Sequence, residues 1–518
     1  MKRQLTARNS ITALLLAGTL LAGCSSGHTG GAGGKTVTES APASTAALSK
    51  PVKLDIIENA SGLPTPDKDF IKQELDKALN TDINLTAYAA GDDYKNQLNV
   101  RVASGNFPDL FGVDKSQLKQ FAQQGLLLDL TPYLDKELKS VKDFIGADSL
   151  KKGTVDGKIY AIAKAPQIPY NTYWIRKDWL DKLNLKAPTT FDELLNVSKA
   201  FTEQDPDGNG KKDTYGLTGG KLQAFAPVFG GYGVGNPYIS GGAGEFYVKD
   251  GKIVNSLYDS GMKDALAFIN KFIASGSADP ELMANNGLQH QEKAIKGQAG
   301  IVWLDWPNVT KEQFADQIKK VNPNAEWLQM AAPKGPVAQN DGSWDIGTAP
   351  GLFVIPKSVE KDKAKLQKVF DLLNYVSTKD GSLLVQFGVK SKHFNLEGDK
   401  VIPTDLMGKE AGYTWLYQFT GRPEQAYLSV KFAPQVKYID FANKQPRIQV
   451  LNGFLTYPDG YNAADASRFV EEEITKFVYG KRPLSEYDGF LKSLETTMNY
   501  KTYMDSAIKQ LQTLGYSK

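Results

Sequence analysis

The sequence predicts an α/β fold with more than one domain. Strand-like and helix-like patterns alternate from Pro51 onward, the signature of a mostly parallel sheet covered by helices. The length of 518 residues is enough for two or three ordinary domains with sizeable cores. Charge bounds the chemistry. The formal net charge of +3 resides in Lys2, Arg3 and Arg8, and setting those three aside from 61 Lys and Arg balances the 58 Asp and Glu. A neutral chain lacks the basic excess that nucleic acid or an anionic membrane surface calls for, so no nucleic-acid partner is expected.

Residues 1–23 carry a basic start, an apolar run from Ile11 to Leu21, and Leu21-Ala22-Gly23 before Cys24. The run has the form of a signal peptide and is far short of the ~20 residues that span a bilayer. Leu-Ala-Gly-Cys resembles the lipobox of bacterial lipoproteins. That resemblance implies a diacylated Cys24, with palmitate as the expected acyl group, anchoring the chain on the extracytoplasmic face of the cell membrane. A cleaved signal with an incidental cysteine is the alternative. Cys24 is the single cysteine, which excludes a disulfide framework. Residues 24–50 hold almost no large apolar side chain and are expected to be a flexible tether.

After the tether, strands are expected at Val52–Ile57, Ile83–Tyr88 and Pro108–Gly112. Helices are expected at Asp67–Asn80, with Ile71, Leu75 and Ala78 on one face, at Tyr94–Ser104 and at Lys115–Gln124. Ligands of such sheets bind beyond the carboxyl ends of strands. Asn59, Ser61 and Asp109 are placed at or just beyond such ends, where each serves either a ligand or a turn.

Farther on, Thr190 and Glu193 form a capping box ahead of Leu194, Leu195, Val197 and Phe201. The helix they open feeds Asp205-Pro206-Asp207-Gly208-Asn209-Gly210-Lys211-Lys212-Asp213. Oxygen-bearing side chains alternate there, with Gly210 turning the chain, which is the spacing of a calcium loop. Asp205, Asp207, Asn209, the carbonyl of Lys211 and Asp213 are the expected ligands of a structural Ca²⁺. Gly216 stands where an EF-hand has a bidentate Glu, and no amphipathic helix follows, so the loop is not a sensor. A metal-free Asx turn is the alternative.

The glycine-rich and aromatic stretch 219–244 reads as loop, and Asp259–Ser275 as helix. Gly300–Trp306 reads as a strand, with Ile301, Trp303 and Asp305 on one face and Val302, Leu304 and Trp306 on the other. An indole beside a carboxylate makes a sugar platform, so Trp303 or Trp306 with Asp305 are candidate ligand contacts, a buried core strand being the alternative. Trp344 falls in a turn-rich crossing. Tyr413, Trp415, Tyr417 and Phe419 recur at period two and serve either core or ligand, with Trp415 and Tyr170 completing the candidates. Gly351–Pro356 is expected as strand, Asp362–Ser377 as helix and Ser485–Leu514 as a helix pair. His290 and His393 are the imidazoles available to the folded part, and neither lies near a nucleophile motif.

Several stretches resemble the extracellular solute-binding proteins of ABC importers. They are Ala103-Ser104-Gly105 followed by Pro108-Asp109, Gly125 to Tyr133, Tyr173 to Leu180, Pro188 to Leu194 and Asp205 to Gly210. The last points to the large oligosaccharide-binding lipoproteins, similar to LipO and to alginate-binding proteins. The resemblance implies a type II periplasmic-binding-protein-like fold with a cleft between two lobes. The expected boundaries are 51–168 plus 346–412 for the first lobe and 169–345 plus 413–518 for the second. It implies a monomeric receptor, not an enzyme, that captures an oligosaccharide and delivers it to ABC permease subunits. A secreted glycoside hydrolase or lyase is the main rival, and a surface adhesin or scaffold the third reading.

Overall fold

The computed structural model describes residues 50–89, 92–239 and 242–516. The signal peptide, most of the tether and Cys24 lie outside the described residues. Among the described residues, no helix is long and apolar enough to cross a membrane.

The first third of the folded chain alternates as expected: β1 (Val52–Asn59), α1 (Phe70–Leu79), β2 (Thr81–Tyr88), α2 (Asp92–Ala103), β3 (Leu110–Val113), α3 (Lys115–Gln123), α4 (Lys139–Lys152) and β4 (Ala161–Ala163). Asp69 starts α1 by accepting from the Lys72 amide, and Asn80 ends it in the left-handed region at φ 52°. Leu79 is buried with Ile71 and Leu75, and Ala78, expected inside, is exposed. The larger side chain one position on takes the core position.

The chain then builds β5 (Asn171–Arg176), α5 (Phe191–Glu203), β6 (Tyr215–Thr218), α6 (Gly261–Ala274), β7 (Ala299–Asp305) and β8 (Trp327–Met330). It returns through β9 (Ser343–Asp345), β10 (Leu352–Val354) and α7 (Lys363–Ser377). Last come α8 (Glu424–Lys431), α9 (Val436–Lys444), β11 (Ile448–Val450), α10 (Ala463–Val478), α11 (Tyr487–Thr497) and α12 (Tyr500–Thr513).

Among the described residues, one five-stranded sheet, two four-stranded sheets and three two-stranded pairs result. The first has the order β2-β1-β3-β10-β4, with β1, β2 and β3 parallel and the returning β10 antiparallel to both neighbours. Leu54 and Ile56 of β1 enter one core with α1, α4 and α7, while Ile57 enters the opposite core with Phe111 and Val354. Both faces are covered, as parallel sheets require. The second sheet has the order β8-β5-β7-β6. In β7 the expected alternation holds: Ile301 and Trp303 face one core, and Val302, Leu304 and Trp306 the other.

Tertiary packing overrides the sequence pattern in two places. Residues 219–244, expected as loop, include a helix at Ala226–Gly231 whose residues are all buried. The glycines there permit close packing: a Cβ on Gly230 would lie 2.4 Å from the Asn340 carbonyl oxygen. Trp344, expected in a turn, is in β9, paired with β11. Tyr413 to Tyr417, whose period-two spacing leaves strand and helix both open, lie in a 3-10 helix spanning Ala411–Tyr417. Tyr413, Tyr417 and Phe419 pack in the core of the first sheet.

Candidate functional site

The carboxyl ends of β1 and β3 open into a pocket of about 220 Å³ lined by Glu58, Asn59, Tyr94, Gln117, Lys164 and Phe353, among others. The segments that leave the first sheet gather at its edge. Lys164 N donates to the Gly351 carbonyl and Ala165 N to the Thr420 carbonyl, each at 2.9 Å. Three crossings therefore run side by side, after β4, before β10 and before α8. Gly421 is required by this contact, with φ +84° and space for a Cβ closed off by Ala165 N at 2.5 Å.

Glu58 and Lys164 form the charged wall of the pocket. Their ion pair spans 3.3 Å, with side-chain exposures of 8% and 12%, and Lys164 also stands 5.1 Å from the Phe353 ring centroid. Burial pushes the Glu58 carboxyl up from its ordinary range, and the Lys164 ammonium partly offsets that. Glu58 Oε2 is buried and has no hydrogen-bond donor from the protein. Tyr94 holds the floor by donating to the Gly112 carbonyl at 2.6 Å.

On the second lobe, Asp305 ends β7, half-buried, and accepts from Asn308 Nδ2 at 2.6 Å. Burial raises its carboxyl pKa. Tyr170 donates to Glu424, which Arg422 also clasps at 2.7 Å, and the Tyr170 carbonyl accepts from Trp306 N. Asp305 and Tyr170 thus stand beside the first crossing, and Asn59 stands in the pocket on the other lobe.

The remaining candidates are placed differently. Trp303 is 8% exposed and packs edge-on against Tyr173, and Trp306, at 1%, packs against Tyr170 and Phe432. The buried-strand alternative describes both indoles in this conformation, because β7 is a central strand with two covered faces. Asp109 is also buried, at the amino end of β3. It accepts from the Asp55 amide at 2.8 Å and pairs with Lys365, at the opposite end of the strand from the pocket. Trp344 is half-buried and Trp415 exposed at 38%, so both keep indole surface open. Glu58 and Lys164 went unread in the sequence. Their signal was a lone charge at the end of an apolar run, in Ile56-Ile57-Glu58 and in Ala161-Ile162-Ala163-Lys164.

The 205–213 loop turns on Asp205, Gly208 and Gly210, all at positive φ. Asp205 accepts from the amides of Gly208, Asn209 and Gly210. Asn209 Nδ2 donates to Asp207 at 2.7 Å and to Asp213 at 3.1 Å, and Lys211 N donates to Asn209 Oδ1. Among the described residues, no three carboxylates or imidazoles close into a metal cage. The oxygen ligands nevertheless gather around the Asn209 side-chain amide, and the two neighbouring carboxyls shift each other: Asp207 lowers Asp205, while burial first and Asp205 second raise Asp207. Such crowded oxygen chemistry fits a hard cation. Thr214 is turned inward, its hydroxyl donating to the Phe201 carbonyl.

The model of a family described as bacterial extracellular solute-binding protein matches residues 61–382. The polygalacturonan/rhamnogalacturonan-binding protein YtcQ of Bacillus subtilis is 28% identical over 346 residues, spanning 65% of each chain and so just under two thirds of that relative. Lipoprotein LipO of the same organism is 28% identical over 75% of this chain and 74% of its own length. The fructooligosaccharide ABC transporter substrate-binding protein FusA of Streptococcus pneumoniae is 25% identical over 83% of this chain and 84% of its own. The structure of FusA in complex with kestose superposes with a TM-score of 0.63, at 20% identity over 90% of this chain and 99% of that one.

Proposed function

Because the chain belongs to the bacterial extracellular solute-binding protein family, we propose that it captures an oligosaccharide between its lobes and presents it to the permease of an ABC importer. It is a binding protein and not an enzyme, which sets aside the hydrolase or lyase alternative. The observation that carries the oligosaccharide reading is the pocket at the carboxyl ends of β1 and β3, where three crossings meet. A ligand that starts there and reaches across to the second lobe gains a second set of contacts, which stabilises the closed form. Glu58, Asn59 and Lys164 serve from the first lobe, Asp305 and Tyr170 from the second, and Trp344 and Trp415 are the indoles open for stacking. Likeness to YtcQ, a polygalacturonan/rhamnogalacturonan-binding protein, and to FusA, a fructooligosaccharide-binding one, supports the ligand class.

Two finer assignments belong to the same reading. Cys24 is the lipid anchor, supported by its Leu-Ala-Gly-Cys context and by likeness to a lipoprotein. Asp205, Asp207, Asn209, Lys211 through its carbonyl, and Asp213 hold a structural Ca²⁺, which would neutralise the carboxylates and stiffen the turn.

Thermal unfolding of the chain against a panel of oligosaccharides, with and without a chelator, tests the ligand class and the calcium assignment. A ligand at 100 times its dissociation constant adds about 2.7 kcal/mol, a shift of a few degrees. One sugar class is expected to raise the midpoint and stay uncleaved, and chelation to lower it. If no sugar shifts the midpoint, the oligosaccharide reading fails; if chelation leaves it unchanged, the calcium assignment fails.

A further inference from the structure

We infer that Thr348–Pro350 is the segment of the second crossing about which the lobes turn, and that Lys152 of α4 is the brake on that turn. The inference deepens the proposed closure and is tested without a ligand.

The crossing between β9 and β10 is fixed at its two ends to different lobes. Up to Gly347 it belongs to the second. Ile346 N donates to the Val450 carbonyl at 3.0 Å, and the Asp345 carboxylate accepts from the amides of Gly347 and Gly453, each at 2.8 Å. Two glycines let the backbones touch there: a Cβ on Gly347 would lie 2.5 Å from Phe454 N, and one on Gly453 would lie 2.2 Å from the Gly347 carbonyl carbon. From Gly351 the chain belongs to the first lobe. The Gly351 carbonyl accepts from Lys164 N, and Leu352 pairs with Val113 and Ala163. Thr348, Ala349 and Pro350 remain between, and the Pro350 ring fixes its own φ, so most of the rotation falls to Thr348 and Ala349.

A buried cation of the first lobe reaches this segment. Lys152 is 2% exposed, and its ammonium donates to the Thr348 carbonyl at 3.0 Å, the one acceptor for its three N–H bonds among the described residues. The end of α4 that carries it is set apart by Gly146, which takes φ 78° and ψ 166° inside the helix. Lys115 Nζ ties that end to its own lobe by donating to the Lys152 carbonyl at 2.6 Å. Burial lowers the Lys152 pKa, and the Asp345 charge acts against that. Turning the second lobe carries Thr348 away and leaves the ammonium in the interior with no acceptor. Stranding a charged donor in this way is costly, so the bond opposes reorientation. Neither Lys152 nor Thr348 lines the pocket at the ends of β1 and β3, so the brake acts on lobe orientation and not on ligand contact.

Electron spin resonance distances between labelled lobes of the full, sugar-free chain test this. Cys24 is the single cysteine, so Cys24→Ser leaves introduced cysteines as the sole labelling sites. Lys363→Cys and Glu312→Cys place one on an exposed residue of each lobe. Lys152→Met keeps the buried stem and removes the donors. It is expected to raise the share of lobe orientations other than the principal one about tenfold, the weight of one hydrogen bond from a charged donor. Adding Ala349→Pro, which fixes φ beside Pro350, should take most of that gain back. Lys139→Met, at an exposed position of the same helix, should change nothing. A distribution that Lys152→Met leaves unchanged, an equal gain from Lys139→Met, or a Lys152→Met chain that does not fold removes the brake role. A gain that Ala349→Pro does not reverse places the bend outside Thr348–Pro350 and overturns the hinge.

Discussion

Glu245 shows how far a single buried acid can shape the pH response of the second lobe. Its carboxylate accepts from the Asn236 amide at 2.7 Å and from the Ser343 hydroxyl at 2.9 Å, yet no cation pairs with it among the described residues. Burial outweighs those bonds and pushes its pKa up to about 7. The sign follows from proton counting. Between the ordinary glutamate value of about 4.3 and the folded value, the unfolded chain has released its proton and the native chain has not. Stability therefore falls as pH rises through that window, by linkage. Glu245→Gln keeps the shape and removes the titration. Urea unfolding from pH 4 to pH 8 should show the variant gaining on the wild type steadily up to neutrality. Curves that stay parallel would refute the assignment.

Elements were legible where local pattern and tertiary demand agree. The α5 cap reads directly from Thr190 and Glu193, and both reciprocal bonds form. Alternation in β7 was equally legible, but a period-two pattern cannot tell a strand with one wet face from one covered twice. Trp303 and Trp306 accordingly went to the two cores that sandwich the sheet. Asp109 was misplaced for a related reason: a carboxylate after Pro108 marks a strand end, but not which end faces the ligand. The pocket residues Glu58 and Lys164 were hidden because they lie 106 positions apart and meet only through the order of the first sheet. Gly300 illustrates what composition conceals. A Cβ there would sit 2.1 Å from the Phe201 ring, so α5 packs onto β7 through the missing side chain. Gly300→Ala should destabilise the chain by about 1–3 kcal/mol, the usual penalty for overpacking. Adding Phe201→Leu should restore part of the loss. An unchanged urea midpoint for the single variant would show that the helix can step back freely.

For the molecule as a whole, the three crossings act as one strip because hydrogen bonds lace them. Lys164 N reaches Gly351, Ala165 N reaches Thr420, and Tyr170 joins Glu424 from the first crossing to the third. Helix α8, which follows, is shared: Leu428 packs with the second sheet, while Tyr427 and Val430 also touch the cluster around Phe387 and Met407. Closure by bending at the crossings has to move these segments together, so their cross-links couple stability to ligand capture. Glu424 is the point where this can be cut. It takes both the Tyr170 hydroxyl and the Arg422 guanidinium, and Arg422 stacks 3.6 Å above Tyr427. Glu424→Gln leaves the Arg422 charge with neutral acceptors, the Gln418 side-chain oxygen at 3.2 Å and the new amide oxygen, and no carboxylate. Breaking a buried pair in this way costs about 3–5 kcal/mol, and the retained Gln418 contact puts the expected loss at the lower end. If the strip also transmits closure, the same variant should bind its best sugar more weakly, and small-angle scattering should show a smaller compaction on sugar addition. A variant that loses stability but closes and binds as the wild type does would make Glu424 a fold residue alone, and the crossings three independent hinges.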